Sequence, residues 1–104
     1  DPRHASPVIF LGKIAMQEND FPKAKEYLVK GLRFRQASLP EGDQLIAQSQ
    51  RDLALCLMAL GDFAEAIHYY EAALQTYFAA SNPSKENIDS IKSELLSARQ
   101  NYIK

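Results

Sequence analysis

The chain has a single cysteine, no tryptophan, four glycines and a formal net charge of only −1 over 104 residues. One cysteine excludes an internal disulfide, so stability has to come from packing. With so little net charge, neither counterion release on nucleic acid nor a polybasic grip on an anionic membrane has much to draw on, and nucleic acid is excluded as the main partner. No apolar run approaches the roughly 18 residues that span a bilayer, and no apolar leader segment opens the chain. These absences predict no membrane insertion and a reducing, cytoplasmic setting. Chemistry is also missing. There is no glycine-rich phosphate loop and no Ser/His/Asp set at helical spacing, and His4 and His68 have no cysteine, histidine or paired carboxylate at ligand spacing. The expectation is a non-enzyme with no cofactor and no metal. A start at Asp1 without methionine suggests a segment of a longer protein.

What is present is repetition. Leu11, Asp20, Phe21, Ala24 and Leu32 recur 42 residues later as Leu53, Asp62, Phe63, Ala66 and Leu74, and Met16 and Tyr27 are echoed by Met58 and Tyr69. A period in this range marks a stack of helical hairpins, in which each unit buries its apolar face against the next. With 46% hydrophobic and 24% charged residues, the chain suits one globular domain with one modest core.

Residues 1–5 read as a disordered start and 6–104 as one domain, with repeat 1 over about 6–40, repeat 2 over about 43–80 and a closing helix over about 83–103. Ser6-Pro7 reads as an N-cap followed by proline at the first helical position. Val8, Leu11, Ile14 and Ala15 then follow helical spacing, Asn19-Asp20 breaks it, and Phe21, Ala24, Tyr27, Leu28, Gly31 and Leu32 form a second stripe. Leu39-Pro40-Glu41-Gly42-Asp43 is dense in turn chemistry. A third helix carries Ile46, Leu53, Leu57 and Leu60, and Gly61-Asp62 ends it. Asp62 and Glu65 have capping-box spacing at the head of a fourth helix bearing Phe63, Ala66, Ile67, Tyr70, Ala73, Leu74, Tyr77 and Phe78. Asn82-Pro83 opens a fifth, with Ile88, Ile91, Leu95, Ala98 and Tyr102 on one face. The fold class is all-α: two antiparallel hairpins and a closing helix, five helices in an α-solenoid.

The run from Leu60 to Leu74 (LGDFAEAIHYYEAAL), with Leu53-Ala54 and Leu57 upstream, closely resembles the core of a tetratricopeptide repeat. Small residues Ala54, Ala66 and Ala73 stand where two helices must approach, and Leu53, Leu57 and Tyr70 take the large positions. The first repeat matches through Leu11, Gly12, Ala15, Phe21, Ala24, Leu28, Gly31 and Leu32; Asn19 replaces the turn glycine, and Pro22 falls in the first helical turn. The family's usual proline after the second helix is replaced by Gln36 and Phe78, which lengthens both hairpins. Such long repeats resemble those of kinesin light chain-like scaffolds. In the fifth helix Leu96 and Arg99 break the pattern, and its second half reads as a solvated cap, with a truncated third repeat as the competing explanation.

The resemblance implies a protein-interaction module that binds a peptide or helix of a partner in a concave groove, as adaptor or scaffold. The alternative it leaves open is an assembly element that stacks on further repeats or self-associates. By position, the implied partner-binding groove comprises Ile9, Lys13, Met16, Gln17, Arg51, Asp52, Leu55, Met58 and Ala59, with Ser93 and Ser97 from the closing helix. Met16, Leu55 and Met58 would supply apolar contact, and Lys13, Arg51 and Asp52 orientation. A family variant clamps the C-terminal carboxylate of chaperones with lysines, asparagines and an arginine. The matching positions are Ile9, Lys13, Asp52, Ser90 and Glu94, of which only Lys13 fits, so no chaperone tail is expected. Cys56 stands where the family has a small buried residue and is expected to be an inert core thiol. Lys23, Lys25, Lys30, Arg33 and Arg35 make the second helix basic, whereas Glu65 and Glu71 make the fourth acidic. Weak intrachain pairing or solvation is the expected use of those charges.

Overall fold

The computed structural model describes the backbone of residues 2–103 and the side chains of residues 7–103. Five helices follow in order: α1 (Pro2–Gln17), α2 (Phe21–Ser38), α3 (Gln44–Leu60), α4 (Phe63–Ala79) and α5 (Lys85–Ile103). Each packs on its chain neighbours, α1 on α2, α2 on α3, α3 on α4 and α4 on α5, which is the zigzag of a helical solenoid.

The hairpin turns show how local sequence sets this path. At the end of α1, Asn19 adopts φ 61°. Its N–H donates to Met16 O at 3.1 Å, and that of Asp20 donates to Ala15 O at 2.9 Å. At the end of α3 the same pair of bonds recurs one period later, Gly61 N–H to Met58 O at 3.1 Å and Asp62 N–H to Leu57 O at 2.9 Å, with Gly61 at φ 82°. Both are Schellman closures, and asparagine fills the left-handed position that glycine holds in the second copy. The middle turn is locked differently. Gly42 is buried at φ 91°, and a β-carbon there would lie 3.1 Å from Ala79 O, so the loop seats against the end of α4. Asp43 Oδ1 accepts from Leu45 N–H at 2.9 Å and caps α3.

The core runs through the stack as one cluster of Ala24, Leu28, Leu53, Ala54, Leu57, Ala66, Tyr70, Ala73, Ile91 and Ala98 with their neighbours. α3 lies at its centre and buries two polar residues as well, Ser49 and Gln50. Neither is orphaned: Ser49 Oγ accepts from Arg35 Nη1 at 2.9 Å, and Gln50 Oε1 lies 2.8 Å from the Thr76 hydroxyl.

Several expectations are corrected. α1 extends back to Pro2, so Ser6 is not its cap and Pro7 lies inside it. Asp1, the first residue of the expected disordered start, lies outside the described residues. α5 starts at Lys85 rather than Asn82-Pro83, and Ser84 Oγ accepts from Asn87 N–H at 3.3 Å as the cap. Asp62 makes no side-chain capping bond, unlike Asp20, which accepts from Lys23 N–H at 3.4 Å. Glu65 turns instead to Lys25 at 3.7 Å, and Glu71 to Arg99 at 3.4 Å. Phe78 and Tyr102 stand outside the core; the Phe78 ring carries Lys92 Nζ 5.9 Å from its centroid. Leu96 and Ile103 are exposed too, so the last turns of α5 are not a purely polar cap.

Candidate functional site

The first helices of the two hairpins, α1 and α3, and the closing helix α5 are stitched together by ion pairs. Lys13 of α1 lies 3.8 Å from Asp52 of α3. Arg51, one residue earlier on α3, grips Glu94 of α5, its Nε donating to Oε1 at 3.0 Å and to Oε2 at 3.1 Å while Nη2 also reaches Oε2. The 42-residue register turns this face into rows: Phe10, Asp52 and Glu94; Lys13, Leu55 and Ser97; Gln17, Ala59 and Asn101.

The structure brings most of the expected residues onto this face. Lys13, Gln17, Leu55, Ala59, Ser93 and Ser97 are exposed, and Arg51 and Asp52 are half-buried between their partners. Ile9 is a correction. It is 5% exposed and packs down onto α2 at Gly31, because a glycine there leaves room for a β-branched side chain, so Ile9 belongs to the core and not to the groove. Met16 and Met58 are half-buried and packed against the core, so each offers an edge of its side chain. Leu55, 38% exposed, is therefore the main apolar contact of α3 on this face. Sequence reading missed Phe10, which is 65% exposed, and the structural part played by Glu94. The signal was available, since both lie 42 residues from Asp52.

The electrostatics of the face follow from partial burial. Desolvation lifts the Asp52 carboxyl above the ordinary carboxylate range, against the opposing pull of Lys13, Arg51 and Arg35. The carboxylate hydrogen bonds from Arg51 to Glu94 raise the guanidinium further above its usual value. Burial lowers the Arg35 guanidinium, which donates to Leu45 O at 2.8 Å and Ser49 Oγ and so ties α2 to α3.

A raised folded value for Asp52 means that folding disfavours its ionised form. Its effect on stability is then most favourable below the unfolded value near 4 and is lost as pH rises through the folded value. Asp52→Asn is therefore expected to be as stable as the parent at pH 7, to within about 1 kcal/mol, and relatively less stable near pH 4. Urea denaturation at both values checks it. A larger loss at pH 7 than at pH 4 would show that Lys13 and Arg51 outweigh burial.

Cys56 is fully buried, its Sγ 3.3 Å from Phe21 O, and burial pushes its thiol upward, which suits a packing role and not a nucleophile. Among the described residues no helix is long and apolar enough to cross a membrane. No curated protein matches the chain. The family model described as tetratricopeptide repeat matches residues 5–79, which spans both hairpins of the stack. Its repeats serve generally in protein–protein interaction, and the chain belongs to the tetratricopeptide repeat family.

Proposed function

We propose that the face built from α1, α3 and α5 is a groove that binds a linear segment of a partner protein, and that the domain acts as a non-enzymatic adaptor. The observation that carries this reading is the middle row. By the 42-residue register exposed Leu55 falls between Lys13 and Ser97, on helices tied by Lys13–Asp52 and Arg51–Glu94. A surface whose helices are fixed before binding loses little freedom when a ligand arrives. Lys13 is 61% exposed and its contact with Asp52 is long, so it can turn to an acidic residue on the ligand at small cost. Arg51 is committed to Glu94 and acts as a strut. The ligand that fits is an extended segment with an apolar anchor for Leu55 and Phe10 and an acidic residue beside it.

Selection of random linear peptides on the immobilised domain tests this. Enriched sequences should share an apolar–acidic pair and bind Leu55→Glu at least about tenfold more weakly, the scale of one lost anchor. Lys13→Glu should select against the acidic residue. A peptide ending in Glu-Glu-Val-Asp should not bind at micromolar concentration, because Asp52 and Glu94 occupy two of the positions a carboxylate clamp needs. No enrichment, or enriched peptides indifferent to Leu55→Glu, would defeat the groove.

A further inference from the structure

Of the two polar residues that α3 buries, Ser49 is fully used by its bond to Arg35, and Gln50 is only half used. Gln50 is 7% exposed. Its Oε1 lies 2.8 Å from the Thr76 hydroxyl, which also lies 2.9 Å from Ala72 O, and among the described residues its Nε2 has no hydrogen-bond partner. That nitrogen is not sealed inside the protein, since the described side chains include no buried polar atom without a partner. It opens on the recess that Gln50 lines, about 360 Å³ between α2, the start of α3 and the end of α4. Packing does not demand an amide here. One period earlier the Gln50 and Thr76 positions are held by Val8 and Phe34, so the first hairpin meets the same place with two apolar side chains. A buried amide with one end unmade costs stability that a valine does not.

The surroundings of that free end select a ligand chemistry. Leu39 and Ile46 give the recess apolar wall, and the turn before α3 closes it where Gly42 seats against Ala79 O. Gln36 and Gln75, both exposed, add two more carboxamides to the lining, and Glu41 is its one charged residue. With no cation in the lining, an anion would give up its hydration without a partner charge. A cationic amine brings no acceptor for the Gln50 N–H groups. The group that answers a carboxamide is another amide, whose carbonyl accepts from Gln50 and whose N–H groups donate to the rim carboxamides. A recess at the lower end of the volumes of ligand sites takes one small group. We propose that it binds a primary carboxamide, carried by a free small amide or by an asparagine or glutamine side chain of a partner protein. None of its lining residues belongs to the face that carries Leu55, so the site does not rest on the groove.

The probe is propionamide, the glutamine side chain as a free molecule, titrated into the isotope-labelled domain while the Gln50 side-chain NH₂ and the Gly42 and Thr76 backbone amides are followed. For so few heavy atoms a dissociation constant on the order of 10⁻³–10⁻² M is expected. Sodium propionate and propylammonium chloride, of the same shape, should bind at least about tenfold more weakly. Gln50→Leu keeps the bulk and leaves Thr76 bonded to Ala72; it should weaken propionamide at least about tenfold, the scale of a lost buried hydrogen bond. Ala72→Leu, at a position where the first hairpin carries Lys30, fills the recess with Gln50 in place and should do the same. Amide signals that otherwise match the parent show that both variants are folded. Two capped tripeptides, acetyl-Gly-Gln-Gly and acetyl-Gly-Met-Gly N-methylamides, separate the sources. Tighter binding of the glutamine peptide than of propionamide makes a partner's side chain the ligand, and weaker binding makes it a free amide. The proposal is overturned if the Gln50 side-chain signal does not move in about 0.1 M propionamide. It is equally overturned if propionate, propylammonium or the methionine peptide binds as well as its amide counterpart, or if either variant leaves binding intact.

Discussion

Tyr70→Ala is expected to lower the unfolding free energy by about 3–5 kcal/mol, the range for truncating a large buried side chain. That is a large share of the roughly 5–15 kcal/mol that holds a domain of this size. Tyr70 is 1% exposed on α4 and packed in the core that joins α3 to α5, and the Glu94 carboxylate that Arg51 grips lies near enough to act on its phenol. Alanine would open a cavity under the central layer. Tyr70→Phe keeps the ring and deletes only the hydroxyl, and Glu94 retains Arg51, so a loss of about 1 kcal/mol is expected. Denaturant unfolding of the two variants separates the packing of the ring from whatever the hydroxyl adds; equal losses would mean that the hydroxyl and not the ring is the main contribution. Burial and the nearby Glu94 charge also raise the Tyr70 phenol well above its ordinary value. An acid raised in the folded state costs stability as pH climbs past its unfolded value of about 10. Tyr70→Phe should therefore shallow the alkaline decline, with Tyr77, also raised by burial, supplying the remainder.

Much of this architecture was legible because a solenoid is specified locally. Each hairpin packs only on its neighbours, so a stripe such as Ala24, Leu28, Leu32 or Ala66, Tyr70, Ala73 determines both the helix and what it meets. The period located the turns for the same reason. The errors fall where one residue type has two uses that local sequence does not separate. Asp20 and Asp62 occupy the same register, yet only Asp20 caps. Glu65, the residue that would complete a capping box with Asp62, is drawn to Lys25 of another helix. Phe78 and Tyr102 satisfy helical periodicity, but they lie beyond the reach of the next layer and stay exposed. At the site, position was legible and engagement was not. Arg51 and Glu94 are 43 residues apart, and only the stacking of α5 on the rest of the fold brings them together. That contact turns Arg51 from a ligand-reading cation into a strut.

The second large effect is expected at Gly31, through the contact that removed Ile9 from the groove. A β-carbon at residue 31 would lie 2.4 Å from Ile9 Cγ1, closer than any side chain accepts. The repeat supplies its own control. Ala73 occupies the equivalent position, fully buried, and its neighbour in register is Arg51, whose side chain extends to Glu94 instead of bending down onto α4. Gly31→Val should therefore destabilise by about 3 kcal/mol, the upper end for overpacking, against only a few tenths gained in helix propensity. Gly12 is a milder case, since its added carbon would meet Leu28 Cδ2 at 2.9 Å, the far end of a side chain that can rotate. Ile9→Ala alone should cost about 2–5 kcal/mol through its cavity. If the clash is local, the double variant Gly31→Val/Ile9→Ala refills that cavity and is less destabilised than the sum by about 1–3 kcal/mol. Urea midpoints for the four proteins measure this coupling. Strict additivity would mean that α1 answers the added methyls by lifting away from α2 as a unit, and Leu28 and Gly12 would then lose their contact along with Ile9.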